Sequence, residues 1–331
     1  MKSKISVIVT CFNKEHEITR CLLSLLNQTD KNFELIVLDD GSTDNTVNVV
    51  KTFLTNNKTI IKVKTVFQKN QGSIKTRLRG VKLAEGEFVT FIDGDDFVSK
   101  DYINVIKKSI EKEGQSDLFL FNNKISYSKK KGFRNEKKLV ECSDLPIQKL
   151  YEWILTGKAA AVWDKVYKRK LFNTNLNSKI FYGEDVWLNI VYLRNVQRVT
   201  VIDKSIYYHV GYSASSGSNQ SFPLTRLDEI DNIYLFIKNE KEKTKNISDV
   251  VFNDFTIMYL INTTLIIERI YGKKSMRKAY VKRFNNLKIT EEGLEEIKPK
   301  TIRHKIYIYM LRRRFFLFFY LKFRIKIMLG L

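Results

Sequence analysis

Between Ile5 and Ile92 the chain repeats one theme: a short β-branched run, a loop, then a stretch with apolar residues at helical spacing. Ile5 to Thr10 is apolar on alternate positions and reads as a strand, and Glu17 to Leu26 sets Ile18, Cys21, Leu22, Leu25 and Leu26 on a helical face. Phe33 to Leu38 is again strand-like, and Ser42 or Thr43 can cap a helix carrying Val47, Val50 and Phe53. Ile60 to Phe67, Ile74 to Ala84 and Phe88 to Ile92 continue as strand, helix and strand. Strands covered on both faces and joined by helices predict a parallel α/β sheet. This constrains the chain most, because such sheets take their ligands beyond the carboxyl ends of the strands.

The residues just past each strand are therefore decisive. Thr10-Cys11-Phe12-Asn13 ends the first strand, Asp39-Asp40-Gly41-Ser42 the second, and Asp93-Gly94-Asp95-Asp96 the fourth. Two acidic clusters meet at one sheet edge in a chain with 58 Lys plus Arg against 36 Asp plus Glu, a formal net charge of +22. Like charges gathered this way need a counter-ion, and the pattern suggests a divalent cation and a sugar nucleotide. Asp93 and Asp95 can face one hard cation, Mn²⁺ or Mg²⁺, with a diphosphate completing the coordination. The plainer alternative is a capped turn ahead of the next helix. The nearby Asp39 to Asp44 cluster favours the cation.

Past Ser99 the pattern loosens. Asp117 to Asn122 can form another strand, Lys129-Lys130-Lys131 and Ser213 to Ser221 read as loops, and the sequence turns helical from Pro223 onward. After Glu296 there is no acidic residue, whereas Lys298, Lys300, Arg303, Lys305, Arg312, Arg313, Arg314, Lys322, Arg324 and Lys326 are basic. Phe315 to Leu321 lies among them. Aromatics bracketed by cations suit an anionic membrane surface; the alternative is a helix docked on the protein itself or a dimer contact, which leaves a homo-oligomer possible. No apolar run reaches the roughly 18 residues of a transmembrane helix, and Asn13 to Glu17 interrupt the opening apolar run before a secretory signal is complete. Cys11, Cys21 and Cys142 make neither a disulfide framework nor a four-ligand zinc site alone, and a packed thiol is expected at Cys11. The expectation is a reduced, cytoplasmic chain peripherally attached to the inner face of the plasma membrane. The charge also fits a nucleic-acid-binding protein, but no helix-turn-helix, zinc-finger or RRM signature is present, so no nucleic acid is expected. A non-catalytic membrane-surface protein is the remaining rival, and the intact acidic motifs argue against it.

Ile5 to Asn13, Asn27-Gln28-Thr29, Asp39 to Asp44, Asn70 to Arg77, Gly86-Glu87-Phe88 and Phe91 to Asp96, together with Trp163 to Tyr167, Gly183-Glu184-Asp185 and Tyr207-Tyr208, resemble the family 2 glycosyltransferases of GT-A fold. The resemblance implies an α/β, Rossmann-like nucleotide-diphospho-sugar transferase domain over residues 1–215, with a donor half (1–98) and an acceptor half (99–215). A helical region (222–299) and a basic aromatic tail (300–331) come after it. It implies an inverting hexosyl- or N-acetylhexosaminyltransferase that uses a nucleotide-sugar, typically a UDP-sugar, and a lipid-linked or cell-surface polysaccharide acceptor. Thr10, Phe12, Asn13, Asp40, Arg77, Asp93 and Gly94 would border the donor, with Asp40 on the base. Asp95 and Asp93 would hold the metal, with His209 a further ligand, and Asp185 would be the catalytic base with Glu184 beside it. Trp187 and Trp163 would stack on acceptor sugars. Thr10 departs from the family's usual proline, and Leu78 from the asparagine that commonly follows the arginine. For Glu184 and Asp185 the residues alone also allow a simpler role, as charges stabilised at a helix N-terminus.

Overall fold

The structure is a computed structural model, described for residues 4–126, 132–135, 139–176, 182–211, 224–270, 274–319 and 321–322. The loops expected at Lys129-Lys130-Lys131 and Ser213 to Ser221, and the tail from Phe323 onward, lie outside the described residues. In chain order the first elements are β1 (Ile5–Cys11), α1 (Ile18–Leu26), β2 (Glu34–Asp39), α2 (Thr46–Asn56), β3 (Lys62–Phe67), α3 (Ser73–Leu83), β4 (Phe88–Asp93), β5 (Phe97–Val98) and α4 (Tyr102–Lys112). Then come β6 (Leu118–Ser126), β7 (Arg134–Asn135), α5 (Ile147–Leu155), β8 (Lys165–Lys168), α6 (Glu184–Leu193) and β9 (Val199–Val210). The later helices are α7 (Thr225–Lys243), α8 (Asp249–Ile270), α9 (Lys274–Asn285), α10 (Leu294–Glu296) and α11 (Ile302–Arg312).

The chain forms two compact units, one of Met1–Leu150, Ala161–Lys179 and Leu188–Gln220, the other of Tyr151–Ala160, Ile180–Trp187 and Ser221–Leu331. The first is built on a sheet ordered β3-β2-β1-β4-β8-β6-β9-β5, with β7 paired to β6. Neighbours from β3 to β4 are parallel, as the β-α alternation requires. Beyond them β8 runs antiparallel to both β4 and β6. Strands β1 and β2 are almost wholly buried, as expected when helices cover both faces, while β3 at the sheet edge mixes exposed and half-buried residues. On one face Val7, Val9, Leu35 and Val37 join Ile18, Leu22, Leu25, Ile103 and Ile106 from α1 and α4 in a single core. On the other face α3 lies close to β1 and β2.

Glycine makes that approach possible. A Cβ built on Gly80 would sit 2.5 Å from Ile8 Cγ2 and 3.2 Å from Leu38 Cδ1.

One local expectation fails. Helix α2 starts at Thr46, and its cap position, Asn45, makes no side-chain cap bond. Ser42 instead accepts from the Asn13 backbone N–H at 2.8 Å, and Thr43 N–H donates to Asn13 Oδ1 at 2.8 Å. Ser42 and Thr43 thus serve the neighbouring loop, and it is Asp44 whose Oδ1 accepts from the Thr46 backbone N–H at 3.0 Å at the start of the helix.

The second unit is helical. Buried Tyr280 and Phe284 of α9 meet the ring of Phe316 at 5.3 and 5.2 Å. Among the described residues no helix is long and apolar enough to cross a membrane.

Replacing a mid-helix glycine by alanine ordinarily stabilises by about 1 kcal/mol. At Gly80 the clash with the stiff, β-branched Ile8 opposes this with an overpacking penalty of about 1–3 kcal/mol. Gly80→Ala should therefore lower the urea midpoint, and Ile8→Ala in the same chain should recover part of the loss in a double-mutant cycle.

Candidate active site

The carboxyl ends of β1, β2 and β4 and the start of α3 enclose a cleft of about 310 Å³, lined by Thr10, Phe12, Lys14, Asp40, Arg77, Asp93, Gly94, Asp95 and His209 among others. A larger hollow of about 880 Å³ lies at the opposite, amino ends of the strands, around Phe33, Glu34, Lys62 and Gly86. Of the two, the smaller gathers the acidic clusters, at the edge where α/β sheets take ligands.

Each wall is fixed by a strand end. Asp39, the last residue of β2, accepts from the backbone N–H groups of Gly41 (3.1 Å) and Ser42 (2.9 Å), closing a tight turn in which Gly41 adopts φ 78°. A Cβ on Gly41 would meet Asn70 N at 2.6 Å, so this turn is pressed against the loop before α3. Asp40 ties the same two loops together. Its Oδ1 accepts from Gln68 Nε2 (2.7 Å) and Gln71 N (2.9 Å), and its Oδ2 from Gly72 N (2.9 Å). Asn13 stands at φ 54° and is held by Ser42 and Thr43.

The acidic run after β4 is answered by cations. Asp93 Oδ1 accepts from Arg77 at 2.9 Å, and Asp95 Oδ2 accepts from Lys14 Nζ at 2.6 Å. Arg20 donates to the Asp95 carbonyl oxygen and lies over the Phe97 ring at 5.2 Å. Asp96 is fully buried and has a different set of partners. It accepts from the Tyr207 hydroxyl (2.6 Å) and Val210 N (2.7 Å), and its carboxylate meets His209 Nδ1 at 3.1 Å. Trp163 stacks on both rings, 4.5 Å from Tyr207 and 5.1 Å from His209. Burial alone would lower the His209 pKa, but the hydrogen bond and charge of Asp96 hold it up to about 9. Cys11 is a buried thiol whose pKa burial and Asp39 push up, so it packs rather than reacts.

Among the described residues no three His, Cys, Asp or Glu side chains form a metal cage. The donor set nonetheless fits a hard cation of the kind held by one or two carboxylates and completed by phosphate oxygens, since Asp93 and Asp95 both line the cleft.

Glu184 and Asp185 belong to the helical unit, at the first turn of α6. Gly183, at φ 77°, sets the bend, and a Cβ there would meet the Tyr259 hydroxyl at 2.7 Å. Arg226 lies over the Tyr182 ring at 5.1 Å, and burial pushes the Tyr182 hydroxyl up to about 12. Trp187 is buried with its ring 6.1 Å from Phe236.

Thr10, Phe12, Asp40, Arg77, Asp93, Gly94, Asp95 and His209 thus share one cleft, and Asn13 is tied to the loop beside it. Asp39 and Asp96 were visible only as members of the acidic clusters, and sequence reasoning assigned no role to Lys14 or Tyr207. Asp96 carries a weak signal as the fourth member of the Asp93 to Asp96 run; Lys14 carries none.

The His209–Asp96 pair has a pH signature. A histidine whose folded pKa lies above its unfolded value of about 6.5 contributes stability below that value and loses it as pH rises through about 9. In Asp96→Asn the burial remains and the largest raising charge is gone, leaving only the charges of Asp93 and Asp95, so the His209 pKa should fall below about 9. Nitrogen-resolved NMR across the range reads this directly; an unchanged titration would contradict the assignment.

Residues 6–145 match the family model described as glycosyl transferase family 2. The chain is 32% identical over 215 residues to glycosyltransferase GlyA of Streptococcus pneumoniae serotype 4, covering 62% of this chain and 30% of that protein. It is 29% identical over 181 residues to the putative glycosyltransferase EpsH of Bacillus subtilis, covering 54% of this chain and 51% of that one. The chain therefore spans about half, or less, of these relatives' length. The crystal structure of S. aureus TarS 1-349 in complex with UDP-GlcNAc superimposes with a TM-score of 0.68 at 22% identity, covering 99% of this chain and 92% of that one. That likeness establishes the fold. Residues 6–145 are a glycosyl transferase family 2 domain, and the chain has the GT-A fold.

Proposed function

We propose that this protein is an inverting, metal-dependent glycosyltransferase that takes its sugar from a nucleotide-diphosphate-sugar of the UDP class. The observation that carries the reading is the single cleft at the carboxyl ends of β1, β2 and β4, where Thr10, Asp40, Arg77, Asp93 and Asp95 meet. Thr10, Phe12 and Asn13 would border the nucleoside, and Asp40 would stiffen the wall facing the base as well as offering it an acceptor. Arg77 would place a guanidinium near the diphosphate. Asp95, with Asp93 beside it, would hold Mn²⁺ or Mg²⁺, which when bound neutralises charge on the leaving diphosphate.

Asp185 would act as general base. The helix N-terminus beneath it favours the ionised carboxylate. The acceptor hydroxyl would give its proton to Asp185 as its oxygen attacks the anomeric carbon from the face opposite the diphosphate. The bond to the diphosphate then breaks with its electron pair, inverting the centre. Glu184 would support the same turn. Trp187 and Trp163 are buried, which leaves little of either ring for stacking on an acceptor sugar.

The acceptor is proposed to be lipid-linked or a surface polysaccharide, reached from an anionic membrane. Helix α11 supports this with two apolar faces. Tyr307, Ile308 and Leu311 are buried, while Ile302, Ile306 and Tyr309 on the opposite side are 77%, 44% and 53% exposed. Exposed Arg303 and Lys305 flank that outer stripe. Part of the basic tail is engaged internally: Lys300 pairs with Asp254 at 2.6 Å, Arg312 donates to the Leu294 carbonyl at 2.9 Å, and Arg314 lies over Phe284 at 5.1 Å. Phe316 and Phe319 are buried, whereas Phe315, Leu317 and Leu321 are about half exposed.

The test of the activity is sugar transfer from a panel of nucleotide-sugars with Mn²⁺ and with EDTA; turnover equal under both conditions would overturn the metal dependence. Asp185→Asn should lower turnover by about 10²–10⁴ while donor affinity, read by calorimetry, stays near wild type. Equal loss of donor binding would reassign Asp185 to structure. For the membrane, Ile302→Ser combined with Ile306→Ser should release the protein from anionic vesicles in flotation, and high salt should weaken the wild type, since each basic residue near the surface contributes about 1 kcal/mol.

A further inference from the structure

The cleft contains a cation of its own at the position where a metal would be held. The side chains of Lys14 and Asp95 are 11% and 12% exposed, and their charged atoms are 2.6 Å apart. The backbone of Lys14 is fixed. Its N–H donates to Thr46 Oγ1 at 2.7 Å, and its carbonyl accepts from Glu17 N (3.1 Å) and Ile18 N (2.9 Å) at the start of α1. Only the flexible stem and its ammonium are therefore able to change place. Arg77 differs: its side chain is 6% exposed, set within helix α3 and engaged with Asp93.

Asp93, Asp95 and Asp96 crowd around Gly94, and repulsion among them is relieved by a cationic partner at each. A divalent ion on Asp95 and the Lys14 ammonium would repel each other across one carboxylate. Loading a metal on Asp95 therefore weakens the hold of Oδ2 on Lys14. An anion that arrives with the metal gives the displaced ammonium a new partner of opposite charge inside the narrow cleft. A diphosphate is such an anion, and Lys14 lines the same cleft as Arg77 and His209.

We infer that Lys14 is the coupling residue of this site: it pairs with Asp95 when no divalent cation is bound there, and it moves to the donor's phosphates when the cation takes Asp95. Cation and nucleotide consequently bind as a linked pair, each weak alone and each strengthening the other by the same factor. The inference rests on the proposed cation site at Asp93 and Asp95 and adds a role for a residue outside the acidic motif.

Mn²⁺ binding measured by electron paramagnetic resonance, with and without UDP, tests it in the whole chain. Without UDP, Lys14→Met should bind Mn²⁺ about tenfold more tightly than wild type, and the further tightening that UDP brings should shrink by a similar factor. Lys14→Arg, which keeps the charge, should stay close to wild type, and Lys14→Gln should repeat the methionine result if that variant folds poorly. Equal Mn²⁺ affinity and equal UDP coupling in wild type and Lys14→Met would overturn the role of Lys14 while leaving the cation site standing. No Mn²⁺ binding to the wild type in either condition would instead remove the cation site, and the coupling with it.

Discussion

The site depends on charge compensation at the carboxyl ends of three buried strands. Hydrophobic runs drive β1, β2 and β4 into the centre of the sheet, and their last residues emerge together with the carboxylates of Asp39, Asp40, Asp93, Asp95 and Asp96. An uncompensated carboxylate buried this far would be expensive. Every one of them is answered, by backbone N–H groups at Asp39 and Asp40, by Arg77 and Lys14 at Asp93 and Asp95, and by Tyr207, Val210 and His209 at Asp96. The same bonds that relieve the charge also position the loops. Shape and electrostatics of the cleft are one solution to one problem.

The division of labour among these carboxylates is physical. Asp39 and Asp40 are spent on backbone donors and on holding loop to loop. Asp96 is sealed beneath the cleft, where it orients His209 against Trp163. Asp93 and Asp95 line the cleft itself, each paired with a cationic side chain. These two are the carboxylates of the edge least tied to backbone donors.

The parallel half of the sheet and the acidic edge were legible in the sequence because both depend on local pattern: a period of two for strands, helical spacing between them, and polar residues at the junctions. The network below and across the edge was not, because it joins residues far apart in the chain. Lys14 and Asp95 are separated by 81 positions, and Asp96 and His209 by 113. No periodicity reports such a pairing. Ser42 shows the opposite failing, a sound local rule for capping overridden by a neighbouring loop that needed its hydroxyl. In the tail, a count of basic residues could not show that Arg312 donates to the Leu294 carbonyl or that Arg314 lies over Phe284.

The margins of the sheet carry a consequence of their own. A strand at an edge offers unpaired N–H and C=O groups to any extended chain that drifts past, and such templates seed aggregation. Here one margin is β3, whose Lys62 and Lys64 are both drawn to Glu85 at 2.7 Å and set a charged fringe along it. The other is β5, only two residues long and succeeded at once by the turn into α4. Among the described residues, a chain that is 44% hydrophobic and rich in β-branched runs thus sets a charged strand and a very short one at the ends of its strand order, two devices that discourage pairing with an extended guest.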